Sequence, residues 1–278
     1  MRIAVTGAGG GLGRAFLDAV PSEHDVHPFT RRELDVRSFE DVTRTLDPIE
    51  PDVIMHFAAM TSVDGCQAEP QRAAETNVLG SFAVAASARR TGAVLVVLST
   101  DYVFDGEKGE PYVEDDLPNP LSVYAWTKLA GERAAQAVVP DALVVRTAWV
   151  YGAGDDFVSR AVRRVRDGEE VGAITDQVGS PTHVAHLAER LLPLAASGVR
   201  GIVHVAGPEP TTWHDVLVRA RELGGLAGTV LGQKAGELAR PAPRPANSSL
   251  ASAVLDRTGV SPMPPLDDGL RKVLTDVG

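Results

Sequence analysis

Arg2-Ile3-Ala4-Val5-Thr6-Gly7-Ala8-Gly9-Gly10-Gly11-Leu12-Gly13 carries the first decision about architecture. Five residues of strand character run straight into a glycine-rich turn, and the segment Arg14 to Val20 beyond it reads as a helix. Gly7, Gly10 and Gly13 form a G-x-x-G-x-x-G pattern. In a strand–turn–helix unit, the first glycine permits the tight turn and the second lets a pyrophosphate approach the backbone. The third lets helix and strand pack closely. The helix start then offers free N–H groups to phosphate. A glycine pattern alone is weak evidence, but between these two elements it predicts a dinucleotide-binding βαβ unit.

Outward from this turn, Asp25 to Phe29 reads as a second strand, Ser38 to Leu46 as a helix and Pro51 to Phe57 as a third strand. After the second strand come Thr30-Arg31-Arg32, where an acidic residue would favour a free ribose hydroxyl. Arg31 and Arg32 therefore favour a 2′-phosphate and NADPH, with NADH as the alternative and a solvated arginine pair as the competing view. Phe57-Ala58-Ala59 leaves the third strand with small residues against which a cofactor can lie flat. His56 reads as a packed strand-end histidine. Pro70 to Arg90 is expected to be one long helix carrying Asn77.

The run Ala93 to Leu98 is apolar throughout, as in a parallel strand covered on both faces, and it ends in Ser99-Thr100-Asp101. Open α/β sheets bind ligands at such carboxyl ends. Tyr124 and Lys128 stand four apart at the start of a helical segment and share a face. An ammonium group beside a phenol is expected to lower its pKa and equip it for proton transfer. Asp141 to Val145 is another buried strand, leading into Arg146-Thr147-Ala148-Trp149-Val150-Tyr151. The alternation predicts an α/β, Rossmann-type doubly wound parallel sheet with a smaller, interleaved C-terminal α/β lobe. The expected division is 1–150 for the nucleotide-binding domain, which also takes back about 180–206, and 151–278 for the substrate-binding lobe. Thr212 to Asp215 is a capping box, which makes Trp213 and His214 candidates for local packing. The Pro-rich stretch Arg240 to Leu250 is expected to be an ordered loop folded over the site.

At 278 residues with a net charge of −10, the chain has no basic footprint for nucleic acid. A single cysteine, Cys66, excludes an internal disulfide and a cysteine-cluster metal site, and points to a reducing cytoplasm. No metal site is expected. No apolar run reaches the length of a membrane span, and no secretory leader is read in residues 1–20.

With Thr100, Tyr124 and Lys128 in view, the chain resembles the extended short-chain dehydrogenase/reductase superfamily, whose Ser/Thr…Tyr-x-x-x-Lys constellation these residues match. End to end it is similar to the dTDP-4-dehydrorhamnose reductase family. That similarity rests on 99–106, Arg146 to Tyr151, Asp176 to Thr182, Thr211 to Asp215 and Arg244 to Leu250. The resemblance implies NADPH-dependent reduction of the C4 ketone of a dTDP-bound 6-deoxysugar, dTDP-4-dehydro-L-rhamnose. It makes Tyr124 the proton donor, Lys128 the ribose anchor and Thr100 a partner of the reacting oxygen. The cofactor contacts it implies are Gly7, Gly10, Gly11, Leu12, Gly13, Asp35, Val36, Phe57, Ala58, Ala59, Tyr124 and Lys128. Its substrate contacts are Thr61, Val63, Thr100, Asp101 and Trp149.

Some bacterial members dimerise through a magnesium ion held by glutamates. The corresponding neighbourhoods here, Arg14-Ala15-Phe16 and Val184-Ala185-His186, lack carboxylates. That metal-held dimer is not implied, and homodimerisation stays open. A 4,6-dehydratase would need a Thr-Asp-Glu order, whereas this chain has Thr100-Asp101-Tyr102. Two alternatives remain: a reductase of another dTDP-4-keto-6-deoxysugar, and a non-catalytic nucleotide-binding regulatory subunit.

Overall fold

The computed structural model describes residues 1–277. The chain begins β1 (Arg2–Thr6), α1 (Gly11–Ala19), β2 (Asp25–Phe29), α2 (Phe39–Leu46) and β3 (Val53–His56). It continues through α3 (Val63–Ala68), α4 (Pro70–Ala74), α5 (Gly80–Thr91), β4 (Val94–Thr100), α6 (Val123–Val138) and β5 (Leu143–Thr147). Next come β6 (Val150–Tyr151), α7 (Phe157–Arg166), β7 (Glu170–Ile174), β8 (Val178–Gly179), β9 (Thr182–His183) and α8 (Val184–Ala196). The remaining elements are β10 (Gly201–His204), β11 (Thr211–Thr212), α9 (Trp213–Gly224), β12 (Thr229–Gln233) and α10 (Leu266–Asp276).

Six strands form one sheet in the order β10-β5-β4-β3-β1-β2, and every neighbouring pair is parallel. Successive side chains feed opposite faces, as the two-residue period requires. Ile3, Val5, Met55, Val96 and Val145 face Phe16 of α1 and Leu187 and Leu191 of α8. Ala4, Ile54, Leu95, Val97 and Val144 face Leu46 of α2 and Val84 of α5. Covering on both sides explains why the central strands read as unbroken apolar runs. Each fully buried Leu or Ile contributes about 1.5–3 kcal/mol by leaving water.

The chain reverses direction across the sheet between β1 and β3, so the loops after these strands flank a crevice at their carboxyl ends. The smaller lobe has its own core of Tyr151, Val158, Val162, Val171, Leu217, Leu270 and Val273. It is threaded through the larger one, because β10 returns to pair with β5 and α8 packs in the core beside α1.

One element differs from its expectation. The stretch Pro70 to Arg90 is interrupted: a π-helical turn, Glu75–Leu79, separates α4 from α5. The wide turn carries Asn77, which is 2% exposed, inward against the active-site side. Helical periodicity gives no sign of such a bulge.

Candidate active site

The crevice is a cavity of about 1010 Å³ bounded by the glycine-rich turn, the loops after β2 and β3, and the ends of β4 and β5. Gly7 has φ +74°, and a Cβ there would lie 2.6 Å from the Ala58 nitrogen. Only glycine lets the two loops meet so closely. On Gly13, a Cβ would come within 2.7 Å of the Ala8 Cα, so that glycine seats α1 against the turn.

The start of α1 is itself informative. Side-chain oxygens cap α2, α3, α6, α7 and α9 through Ser38, Ser62, Ser122, Asp156 and Thr212, while α1, α4, α5, α8 and α10 have no such cap. Of these, α1 is the one whose first residues, Gly11 to Gly13, line the cavity. Helix α1 has Gly10 at its cap, with no capping side chain and no acid in its first turn. Its N–H groups and the positive end of its dipole face the cavity without an internal anion, which fits a pyrophosphate. At the far end Arg31, Arg32, Arg37 and Arg72 line the wall. Arg37 is tied to Asp35 by bonds of 2.6–3.1 Å, and this guanidinium holds the Asp35 carboxyl below the usual carboxylate range.

The opposite end is built by β4 and α6. Thr100 Oγ1 donates to Asp101 Oδ1 at 2.9 Å and accepts the Tyr102 N–H at 3.2 Å. Ser248 Oγ donates to Asp101 Oδ2 at 2.5 Å, from the Pro-rich loop. Burial pushes the Asp101 carboxyl up to about 7, against the pull of these hydroxyls. The Thr100 proton is thus committed to Asp101, and Thr100 can donate to a ligand oxygen only by releasing that carboxylate or when Asp101 itself is protonated.

The expected lowering of the Tyr124 phenol by its neighbouring amine is not what the site produces. Burial raises the Tyr124 pKa, with the Thr100 hydroxyl opposing. Lys128 Nζ donates to the Leu98 carbonyl at 2.6 Å, and burial lowers its own pKa to about 8, with Glu132 opposing. For Lys128 desolvation outweighs the opposing charge of Glu132, whereas for Tyr124 the nearby Asp101 charge adds to it. The phenol therefore stays protonated, as a proton donor must be.

Behind this pair, Asn77 clamps two elements. Its Oδ1 accepts from the Met60 N–H at 2.8 Å, while Nδ2 donates to the Met60 carbonyl at 3.1 Å and to Thr127 Oγ1 at 3.0 Å. His56, 3% exposed, lies between Thr6 Oγ1 at 2.7 Å and Ser81 Oγ at 3.2 Å. Ser81 donates its one proton to the Asn77 carbonyl at 2.7 Å, so it can only accept from His56 Nε2. Thr6 then donates to Nδ1. Burial, and secondarily Lys128, pulls the imidazole pKa down to about 3 and keeps it neutral. It packs as a structural bridge.

On the small-lobe side, Trp149 stacks on Trp213 with ring centroids 4.2 Å apart, and Phe157 meets Trp213 edge-on. Trp149 has φ +46°, a left-handed conformation that costs of order 1–3 kcal/mol in a non-glycine residue. The indole stack and the close approach of Gly179 to the ring hold it there.

Of the residues singled out above, Gly7, Gly10, Gly11, Leu12, Gly13, Arg31, Arg32, Asp35, Val36, Phe57, Ala58, Ala59, Thr61, Thr100, Asp101, Tyr124 and Trp149 all line this one cavity. Lys128 and Val63 are not among the lining residues: Lys128 directs one N–H of its ammonium to the Leu98 carbonyl, and Val63 begins α3. Wall residues not anticipated include Thr30, Arg37, Arg72, Thr76, Thr147 and Ala153. Thr147 ends β5, so the carboxyl-end rule could have found it. Ala153 arrives from the other lobe against Gly11, and nothing local in sequence signals that.

A doubly wound sheet with a glycine-rich turn and a Thr…Tyr-x-x-x-Lys set on one crevice defines the short-chain dehydrogenase/reductase class. The family model described as "RmlD substrate binding domain" matches residues 1–278. A dTDP-4-dehydrorhamnose reductase of Mycobacterium tuberculosis is 40% identical over 272 residues, covering 94% of this chain and 88% of the relative. A probable dTDP-4,6-dihydroxy-2-methyloxan-3-one 4-ketoreductase of Streptomyces antibioticus is 36% identical over 284 residues, covering 100% and 96%. Among solved structures, a dTDP-4-dehydrorhamnose reductase from Bacillus anthracis in complex with NADP superposes with a TM-score of 0.95 at 32% identity, covering 99% of both chains. This chain belongs to the dTDP-4-dehydrorhamnose reductase family of nicotinamide-dependent oxidoreductases.

Proposed function

We propose that the protein reduces the C4 ketone of dTDP-4-dehydro-L-rhamnose to dTDP-L-rhamnose with NADPH, with NADH as a second donor. The observation that carries this reading is the shared cavity. The uncapped start of α1, the arginine-lined end and the Thr100–Asp101–Tyr124 end bound one continuous space. The residues present fit the dinucleotide: the turn at Gly7–Gly13 for the pyrophosphate, Asp35 and Val36 for the adenosine, Arg31 and Arg32 for a 2′-phosphate, and Phe57–Ala59 for the flat face.

The reduced nicotinamide supplies a hydride when bound. Tyr124 gives the developing alkoxide its proton, and the raised pKa of the phenol keeps that proton available near neutral pH. Thr100 orients the reacting oxygen, with Asp101 as the carboxylate that takes or returns the Thr100 proton. Lys128 anchors the ribose and, through Leu98, ties α6 to the end of β4. Thr61, Asp101 and Trp149, which line the crevice, hold the sugar. In this reading residues 1–150 and the returning segment 180–206 bind cofactor, and 151–278 bind substrate.

Among the described residues no helix is long and apolar enough to cross a membrane. We read the protein as cytoplasmic from its single free cysteine, Cys66. A homodimer is compatible with the fold. The match to the Streptomyces antibioticus relative supports a second reading, reduction of another dTDP-4-keto-6-deoxysugar. Purified enzyme with NADPH and dTDP-4-dehydro-L-rhamnose should oxidise one NADPH per dTDP-L-rhamnose formed. NADPH binding without turnover on that ketone or its deoxysugar analogues would refute the reductase reading.

A further inference from the structure

Trp149 lines the crevice just beyond the end of β5, and no polar contact of its side chain fixes it there. Its backbone is left-handed, a conformation that persists in a bulky residue only where the surroundings over-determine it. The Trp149 carbonyl accepts the Thr182 N–H at 3.2 Å. Among the described residues, however, its buried indole N–H has no hydrogen-bond partner. The plane of the ring is therefore set by packing.

That packing comes from one piece of the small lobe. Strands β8 and β11 pair antiparallel, with Gly179 opposite Thr211 and Val178 opposite Thr212. Gly179 lies against the indole, where a Cβ would fall 2.2–2.5 Å from its ring atoms. Trp213 opens α9 directly after β11, behind the Thr212 cap, whose Oγ1 accepts the Asp215 N–H at 3.1 Å. The Trp213 ring lies on that of Trp149 at 4.2 Å and 12°, and Phe157 meets Trp213 edge-on at 5.4 Å. Trp213 is not among the residues that line the crevice, so it can act on a ligand only through Trp149. What Trp149 presents to the crevice is the part of its ring that Trp213 and Gly179 leave uncovered.

We infer that Trp213 is a positioning residue for substrate recognition: through the stack it fixes the Trp149 ring as a flat apolar wall for the sugar ring of the substrate, and Gly179 leaves the room that this placement needs. The inference rests on the dTDP-sugar reading of the preceding subsection and adds the residue that sets the wall in place. A flat aromatic surface suits the C–H face of a pyranose. The stack thus concerns the sugar and not the nucleotide, and the two are separable by experiment.

Titration calorimetry of the full chain with NADP⁺ bound, using dTDP-L-rhamnose and dTDP as probes, tests this. Trp213→Ala should lose about ten-fold or more in affinity for dTDP-L-rhamnose with dTDP little changed. Trp213→Phe keeps an aromatic face and should recover part of the loss. Gly179→Ala, whose added methyl meets the indole with both tryptophans present, should reproduce it. In turnover, Trp213→Ala should raise KM for the ketone and leave kcat within a few-fold of wild type. Equal losses for dTDP-L-rhamnose and dTDP, or undiminished dTDP-L-rhamnose affinity in both Trp213→Ala and Gly179→Ala, would overturn the inference. Turnover of the ketone by wild type is scored separately, so failure of the reductase reading would be seen there and not in the comparison of variants.

Discussion

Lys128 spends its ammonium on the main-chain carbonyl of Leu98, 2.6 Å away, one residue before the Ser99-Thr100 strand end. The bond ties the second turn of α6 to β4 and fixes Tyr124, a turn earlier, against Thr100. Lys128→Met should lower kcat/KM by about a hundred-fold or more, with folding retained. The stability sign is opposite. The folded pKa of about 8 lies below the unfolded value of 10.5, so the charged amine costs stability as pH falls through 8. Urea unfolding at pH 7 and pH 10 should show Lys128→Met gaining on wild type at the lower pH.

Glu132 and Arg146 are both fully buried and joined at 2.8 and 3.0 Å, and Ser99 also donates to Glu132. Removing one partner strands the other charge. Glu132→Ala should cost about 3–5 kcal/mol in denaturant unfolding. The double change Glu132→Met with Arg146→Met should recover much of that, which would separate charge stranding from lost packing.

Asp101 titrates in the folded protein near 7, above its unfolded value of 3.8. Its contribution is fully present below pH 4 and lost as pH rises through 7. Asp101→Asn should therefore be more stable relative to wild type at pH 8 than at pH 4.5, by an amount on the order of a few kcal/mol. An unchanged difference between the two pH values would place Asp101 in a solvated setting.

Arg31 and Arg32 are exposed at the adenosine end, while Arg37 is held by Asp35. The double change to Ala at Arg31 and Arg32 should weaken NADPH about ten-fold or more and NADH little, read by fluorescence titration. Equal losses for both cofactors would remove the phosphate clamp.

Much of this site was legible in the residue order because strand ends announce themselves. Thr6-Gly7, Phe57-Ala58-Ala59 and Ser99-Thr100 each follow an apolar run, and the crevice rule places all three together. The π turn at Glu75–Leu79 was not legible, since a one-residue bulge leaves the apolar period almost unchanged. The Tyr124 pKa went the other way because spacing reports a neighbouring charge and not the desolvation of both groups. Trp213 read as local packing, but its stacking on Trp149 depends on the small lobe folding back, a contact between residues 64 apart in sequence. Ala153 entered the wall for the same reason.

The central claim is that Tyr124 delivers the proton in this crevice. Tyr124→Phe keeps the ring and loses the hydroxyl, so NADPH affinity should stay within about two-fold of wild type while kcat on the dTDP-4-keto sugar falls about a thousand-fold. Turnover of Tyr124→Phe within a few-fold of wild type would contradict the account.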